Sequence, residues 1–345
     1  MNLTALARTR LGAYTANMAS AYSQTNVSEQ FAVTGPMETK LRAAIIDSVE
    51  FLGMITALPV DQIKGQVVSV GSNGIKTGRK AGGRFSAGQG VDGNSYELVE
   101  VDSCAFVEWG TLATWANAGN DRQFMQLMSQ NATNSFALDI LRVGFNGTSV
   151  AADTNPTTNP LGQDVNKGWH QLVKEKAPDQ IMTDAIYFNP DATGELKDGE
   201  YKTLDAIVTE IKLTLIPEQF RNDPRLVVLV GSDLVAAAQI KLMNQADKPS
   251  ERVAAQMMDK SIGGFRAYTP PFFPGKRIVV TMLSNLHCYT QRGTSQRKSE
   301  NVEDRKRWED KYWRYEGYAV DEYQAYGAVD EAAMNIGPAP EPVGG

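Results

Sequence analysis

Between Leu112 and Gly147 the chain has no proline, and from Phe124 its apolar residues fall at Phe124, Leu127, Met128, Ala132, Phe136, Ile140 and Val143. That series lies on one face of a helix and leaves Gln123, Gln126, Gln130, Asn134 and Asp139 to the other faces. The spacing predicts a helix of about 24 residues, roughly 36 Å long at ~1.5 Å per residue. Asn120 or Asp121 caps it, because a short polar side chain accepts hydrogen bonds from the free N–H groups of the first turn. Gly144 and the Asn146-Gly147 pair supply stop signals. A rod of that length, in a chain otherwise rich in glycine and short strands, reads as a spine against which sheets are laid.

The same reading along the chain gives the other elements. Leu3, Ala7, Leu11 and Tyr14 stand at helical spacing in a nearly uncharged N-terminal segment, residues 1–31. That segment reads either as a frayed terminus or as a detachable assembly piece. A second helical pattern, Leu41, Ile45, Val49 and Leu52, runs from Met37 to Leu58 and meets Pro59. Val67, Val68 and Val70 make a strand whose return is Tyr96, Leu98, Val99 and Val101. Thr203 to Ile216 reads as a helix closed by Pro217, and residues 226–243 as a buried strand, a turn and an Ala-rich helix. Glu251 to Met258 continues helical, and short strands follow at 263–268, 278–282 and 286–289. Tyr312, Trp313, Tyr315, Tyr318 and Val320 mark an aromatic-rich strand that pairs back near the spine. The tail GPAPEPVGG is too rich in proline and glycine to order.

Between the two strands of the predicted hairpin lies GSNGIKTGRKAGGRFSAGQGVDGN. A loop that long is uncommon inside a compact domain unless it serves a function. Two arms of about 15–20 residues at ~3.3 Å each reach roughly 50–65 Å, farther than one compact body needs. The charges are segregated: Lys64, Lys76, Arg79, Lys80 and Arg84 on the outgoing side and tip, and Asp92, Glu97, Glu100, Asp102 and Glu108 on the return. This is either a solvated face or a basic tip that docks on an acidic patch of an adjacent copy. Exposed pairs contribute only ~0–1 kcal/mol each, so docking of this kind sets register and partner choice more than bulk affinity.

A chain of 345 residues allows one large domain or two to three lobes. Its net charge of −6 argues against a nucleic-acid-coating role, which needs excess Lys and Arg to displace phosphate counterions. Two cysteines, Cys104 and Cys288, form no disulfide framework and fit synthesis in a reducing compartment. No run approaches the ~18 apolar residues of a membrane span, and no apolar core follows Arg8 and Arg10 as a secretory signal requires, so the chain reads as soluble.

The search for chemistry finds little. Gly78 to Gly83 is followed by Arg84 and Phe85, not the Lys and Ser/Thr of a phosphate loop. The turn after Val230 offers one glycine, Gly231, where a dinucleotide fingerprint needs three. His287 and Cys288 point to opposite faces of a strand, which does not suit a shared metal, and His170 reads as structural. Ser232-Asp233 lacks the elbow of hydrolases, and the five tryptophans read as core or interface anchors. The residues therefore favour a self-assembling structural protein with no catalytic site, no cofactor and no metal. The alternative is an oligomeric α/β enzyme with a small-ligand site near Gly231.

The order of parts, and the motifs VSEQFAVTGP (27–36), TLATWA (111–116), LDILRVGFNG (138–147), TNPLGQDVNKGWHQ (158–171), TLDAIV (203–208), DPRLVVLVG (223–231) and ERVAA (251–255), span nearly the whole chain. Together they resemble tailed-bacteriophage major capsid proteins of the peduovirus group. The resemblance implies an α+β Hong Kong 97-type capsid fold. Its parts would be an N-terminal assembly segment (1–31), an N-arm (32–60), an extended loop (61–110), a peripheral domain with the spine helix (111–176 and 291–336), an axial domain (177–290) and a disordered tail (337–345). It implies self-assembly as hexamers and pentamers into an icosahedral shell, in the host cytoplasm and then the virion. The implied partners are an internal scaffold and protease protein, a portal, head-completion or decoration proteins, and packaged double-stranded DNA held without sequence-specific contacts. It implies removal of the N-terminal segment during maturation, with Phe31 and Ala32 at the matching bond. The tip residues Lys76, Arg79, Lys80, Arg84 and Phe85 are the candidate inter-subunit contacts. Some members of the wider fold also cross-link a loop lysine to a neighbour's asparagine. Lys64, Lys76 and Lys80 are the lysines available for that, and nothing in the sequence positions them.

Overall fold

The structure is a computed structural model that describes residues 3–33, 35–67, 77–80, 82, 94–245 and 261–340. Val68, Val70, Lys76, Arg84, Phe85 and the predicted helix from Glu251 to Met258 lie outside those residues. The spine is the 26-residue helix Asp121–Asn146. Its start is a capping box: Asn120 Oδ1 accepts from the Gln123 N–H at 2.9 Å, and Gln123 Oε1 accepts from the Asn120 N–H at 3.0 Å. Gly119 separates it from a preceding helix, Trp109–Ala118.

The spine buries Phe124, Met128, Ala132, Phe136, Ile140 and Val143 as the periodicity predicts, whereas Leu127 stands exposed. The predicted stop at Gly144 differs, because the helix runs through it to Asn146. The ring of Trp169 occupies the space where a Cβ at Gly144 would sit, so that glycine serves close packing rather than termination.

A six-stranded sheet lies against this helix in the order Phe31–Ala32, Gln296–Val302, Arg307–Val320, Leu286–Gln291 and Thr56–Val60, with Val99–Glu108 paired to Arg307–Val320 off that path. The aromatic-rich strand Arg307–Val320 is the trunk of the sheet. Its Tyr318 hydroxyl donates to the Ile140 carbonyl at 2.9 Å, and the Tyr312 ring packs 5.7 Å from that of Phe136 on the spine. Thr56–Val60 is the strand at which the second helical pattern ends. Helices Gly35–Asp47 and Glu50–Met54 stop short of it, and Pro59 sits inside an edge strand, where a missing N–H leaves no ladder bond unmade on the solvent side.

A second six-stranded sheet runs Ser261–Ile262, Phe265–Tyr268, Leu226–Val230, Ile278–Met282, Gly327–Val329, Ile181–Met182. Leu226–Val230 is buried on both faces, which explains its uninterrupted apolar run. Val227, Leu229, Val279 and Ala328 face the main core around the spine. Val228, Val230, Ile278, Val280 and Val329 face a second core built with the helix Leu204–Thr214, whose start is capped by Thr203. One sheet thus serves two cores.

Strand pairing divides the two lobes elsewhere than at residue 290. Leu286–Gln291 belongs to the first sheet, while Gly327–Val329 belongs to the second, and Met334–Ile336 pairs with Ile186–Phe188. The start of the tail is ordered rather than disordered. The Gly337 N–H donates to Phe188 O at 2.9 Å, Lys197 Nζ donates to Ala339 O at 3.0 Å, and Ala339 is buried.

Candidate assembly surfaces

The N-terminal segment is a docked element. Helix Ala5–Ala21, capped by Thr4, buries Ala7, Leu11, Tyr14 and Met18 in the main core. Arg10 donates to the carbonyls of Ala116 and, at 2.6 Å, Gly119, where the helix Trp109–Ala118 ends, and pairs with Asp121 at 2.8 Å. A cation there satisfies carbonyls that the helix end leaves unpaired. Tyr14 meets Trp308 edge-on with centroids 6.1 Å apart, and the Arg297 guanidinium donates to the Tyr22 hydroxyl at 2.7 Å. Behind them Asp310 accepts from Ser299 Oγ and, at 3.1 Å, from Trp308 Nε1, with Arg297 at 3.5 Å. The segment is therefore a cover over a buried ion cluster.

The segment ends at Phe31 and Ala32, which form a short outer strand opposite Arg297 and Gln296. Phe31 is buried with its ring 5.3 Å from that of Tyr22, while Ala32 is exposed. The chain at this bond is already extended and at the rim of the sheet.

The base of the predicted hairpin is a ladder between Lys64–Val67 and Asn94–Glu97, with Val67 opposite Asn94. Lys64 pairs with Glu97 at 2.7 Å, both well exposed, so this pair marks register rather than adding much stability. Arg79 and Lys80 are exposed. Beyond the base, Val99–Glu108 exposes Glu100, Asp102, Cys104, Phe106 and Glu108 on one face and buries Ser103, Ala105 and Val107 on the other. Beside it a cleft of about 210 Å³ opens among Asp102, Asp139, Arg142, Asn159 and Asp164. Burial pushes the carboxyls of Asp102 and Asp139 above their usual range. The sequence places Glu100, Asp102 and Glu108 on the acidic return of the hairpin, and the structure sets them on the exposed face of one strand.

Two interior clusters join the lobes. Arg277 grips Glu331 at 2.6 and 2.8 Å and donates to Phe145 O at 2.7 Å, tying the second lobe to the last turn of the spine. His170 is buried, with Nδ1 3.0 Å from the Tyr326 hydroxyl and Nε2 3.7 Å from Asp330, which also binds Lys174. Burial outweighs the neighbouring carboxylates and lowers the pKa of His170 to about 4. His170, Asp330 and Glu331 gather their ligand atoms within 4.8 Å. Lys174 and Arg277 already balance both carboxylates, which makes this a structural junction rather than a cation site. His287 is likewise a packing group, 3.0 Å from Ser284 O through Nε2.

The space beside Gly231 is filled from within. The carbonyl of Gly275 stands where a Cβ at Gly231 would be, and it accepts from the Asp233 N–H at 3.1 Å. The turn that contains Gly275 thus covers the N-terminus of the helix Ser232–Gln245, so the small-ligand alternative has no site there.

A two-core α+β body with no catalytic cluster among the described residues and an acidic sheet edge fits a structural class of protein. Residues 10–332 match the family described as phage major capsid protein, P2 family. The chain is 30% identical over 315 residues to the capsid proteins of Escherichia phage P2, covering 87% of this chain and 86% of that one. It is 29% identical over 277 residues to the major capsid protein of Serratia phage KSP20, covering 77% and 79%. Among solved structures, the satellite phage P4 procapsid that includes the size-determination protein Sid superposes with a TM-score of 0.73 at 27% identity, covering 96% of this chain and 98% of that one. The chain belongs to the P2 family of phage major capsid proteins. Its fold is the Hong Kong 97-type capsid fold, and its role is that of a capsid subunit that associates with its own copies. The enzyme alternative finds no support.

Proposed function

We propose that this subunit closes, as hexamers and pentamers, into the icosahedral head shell that holds a phage genome. Assembly would take place in the host cytoplasm on an internal scaffold protein and around a portal, with double-stranded DNA packaged without sequence-specific contacts. The observation that carries this reading is the superposition on a procapsid subunit over 96% of the chain. The net charge of −6, unsuited to coating DNA, supports it. Negative-stain microscopy and light scattering of the chain co-expressed with its scaffold test it. Closed shells or tubes are expected, and small closed oligomers alone would overturn it.

Residues 32–60 then act as the arm, the hairpin as the extended loop, the body around the spine as the peripheral domain and the second sheet as the axial domain. Lys76, Arg79, Lys80, Arg84 and Phe85 contact a neighbouring copy. A maturation protease cuts between Phe31 and Ala32, and the extended, rim-positioned chain there supports the assignment. Ala7, Leu11, Tyr14 and Met18 are buried in the uncut chain, so cutting the bond does not by itself break the contacts that hold the segment. Mass spectrometry of finished heads should find chains that begin at Ala32. Heads in which Met1 persists would rule the cut out.

A further inference from the structure

We propose that the body beyond residue 31 carries a peptide-binding site whose ligand is residues 3–31 of this chain, so that the segment outlasts a cut after Phe31 as a bound peptide. This deepens the reading of that bond as a processing site and rests on it for its place in assembly.

The site has two halves. The first takes the helix Ala5–Ala21: Ala7, Leu11, Tyr14 and Met18 fall on its buried face, Arg10 holds the carbonyl end of Trp109–Ala118, and Tyr14 stands edge-on to Trp308. The second is the outer edge of Gln296–Val302, whose inner edge pairs with Arg307–Val320. On the outer side the segment supplies the strand. Phe31 lies opposite Arg297, the Ser299 N–H donates to Val27 O at 2.8 Å, and Val27 is wholly buried. Trp109–Ala118, Arg297, Ser299 and Trp308 all lie far beyond residue 31 in sequence, so none of these contacts needs the covalent link there.

The segment also holds its own shape. Thr4 caps the helix, Asn26 Oδ1 accepts from the Ser28 N–H at 3.0 Å, and Asn26 Nδ2 donates to Glu29 at 3.1 Å. The Tyr22 and Phe31 rings close the turn 5.3 Å apart. A ligand ordered by its own contacts loses less freedom on binding. Arg8, Arg10 and Glu29 are its charged side chains, in a chain whose net charge is −6, so the segment is attracted to the body it covers.

What the segment covers suggests its use. A bare strand edge is a template for another chain, and proteins ordinarily guard it. The opposite rim of this sheet, Thr56–Val60, contains Pro59, whereas Gln296–Val302 has no proline and is guarded by the segment. Beneath it the Arg297 and Asp310 side chains are 7% and 3% exposed. A tether holds a ligand at an effective concentration on the order of millimolar. Cutting removes the tether, and occupancy then follows the concentration of subunits. Departure of the peptide, rather than the cut, is what opens the edge and the ion pair to solvent.

The test separates cut from release. A site-specific protease sequence is inserted between Phe31 and Ala32 of the full chain, the unassembled protein is cut, and gel filtration shows where the segment runs. It should run with the body in equal molar amount, and hydrogen exchange at the Ser299 amide should stay as slow as in the uncut chain. Labelled synthetic peptide 3–31 should exchange into the cut protein, and the same peptide with Arg10→Ala and Tyr14→Ala should bind at least about tenfold more weakly. A segment that runs apart from a folded body, a Ser299 amide that exchanges at once after cutting, or equal binding of the two peptides would overturn the proposal. If the insertion unfolds the chain, residues 1–31 and a tagged 32–345 are co-expressed as two pieces. Co-purification is then expected, and its failure overturns the proposal as well. Finished heads whose chains keep Met1 would count instead against the natural cut, because none of these measurements depends on it.

Discussion

A glycine inside an exposed helix costs ~1 kcal/mol relative to alanine, so Gly144→Ala would ordinarily stabilise the spine. At this position the Trp169 ring fills the space, and overpacking a well-filled core costs ~1–3 kcal/mol. The second effect wins, and the variant should melt several degrees below the parent by calorimetry. His170 argues the same way about charge. Its folded-state pKa of about 4 lies below the ordinary value of 6.5, so the unfolded chain binds the extra proton between those limits. Stability contributed by the neutral ring is complete above pH 6.5 and falls as the pH drops toward 4, by up to ~3 kcal/mol. Denaturant midpoints measured from pH 7 to 4 should show that decline, and His170→Gln should flatten it. Residue types announced some of these roles. A histidine in a chain with no second ligand nearby reads as structural. The partners did not: Arg277, Asp330 and Glu331 are far from His170 in sequence and meet it only through the fold.

Among elements, the spine was the most legible, because its period, cap and absence of proline all point one way. Phe136→Ala should cost ~3–5 kcal/mol through the lost ring and the cavity beside Tyr312. Phe136→Asp should give no soluble folded chain, since an unpaired carboxylate would be buried. Soluble, cooperatively melting Phe136→Asp would place that residue outside the core. The Met37–Leu58 pattern misled at its end, because a helical period says nothing of the parallel partner Leu286–Gln291 that draws Thr56–Val60 into a sheet. At the start of the tail, composition carries no record of Phe188 and Lys197, which hold Gly337 and Ala339. Of the N-terminal helix, the apolar spacing was visible and the anchor was not. Arg10→Ala combined with Tyr14→Ala should free it, so that limited proteolysis removes residues up to about 31 and spares the rest. Equal resistance in parent and variant would mean that Arg10 and Tyr14 do not hold the segment down.

For the whole molecule, composition and charge narrowed the class, and motif order supplied the family that the match over residues 10–332 establishes. The acidic return was visible in the sequence, and the strand that lies beside it was not. Reversing Lys80 and Arg84 to glutamate should leave melting unchanged and reduce shell yield. Normal shell yield would count against the docking role of the tip. One architectural detail sets a limit on how any such lattice bends. Since the strands around Leu226–Val230 insert one row of side chains into each core, neither half can swing without tearing the other open. The brick is stiff. If copies of such a brick close into a shell, curvature falls to the mortar, at the margins between subunits.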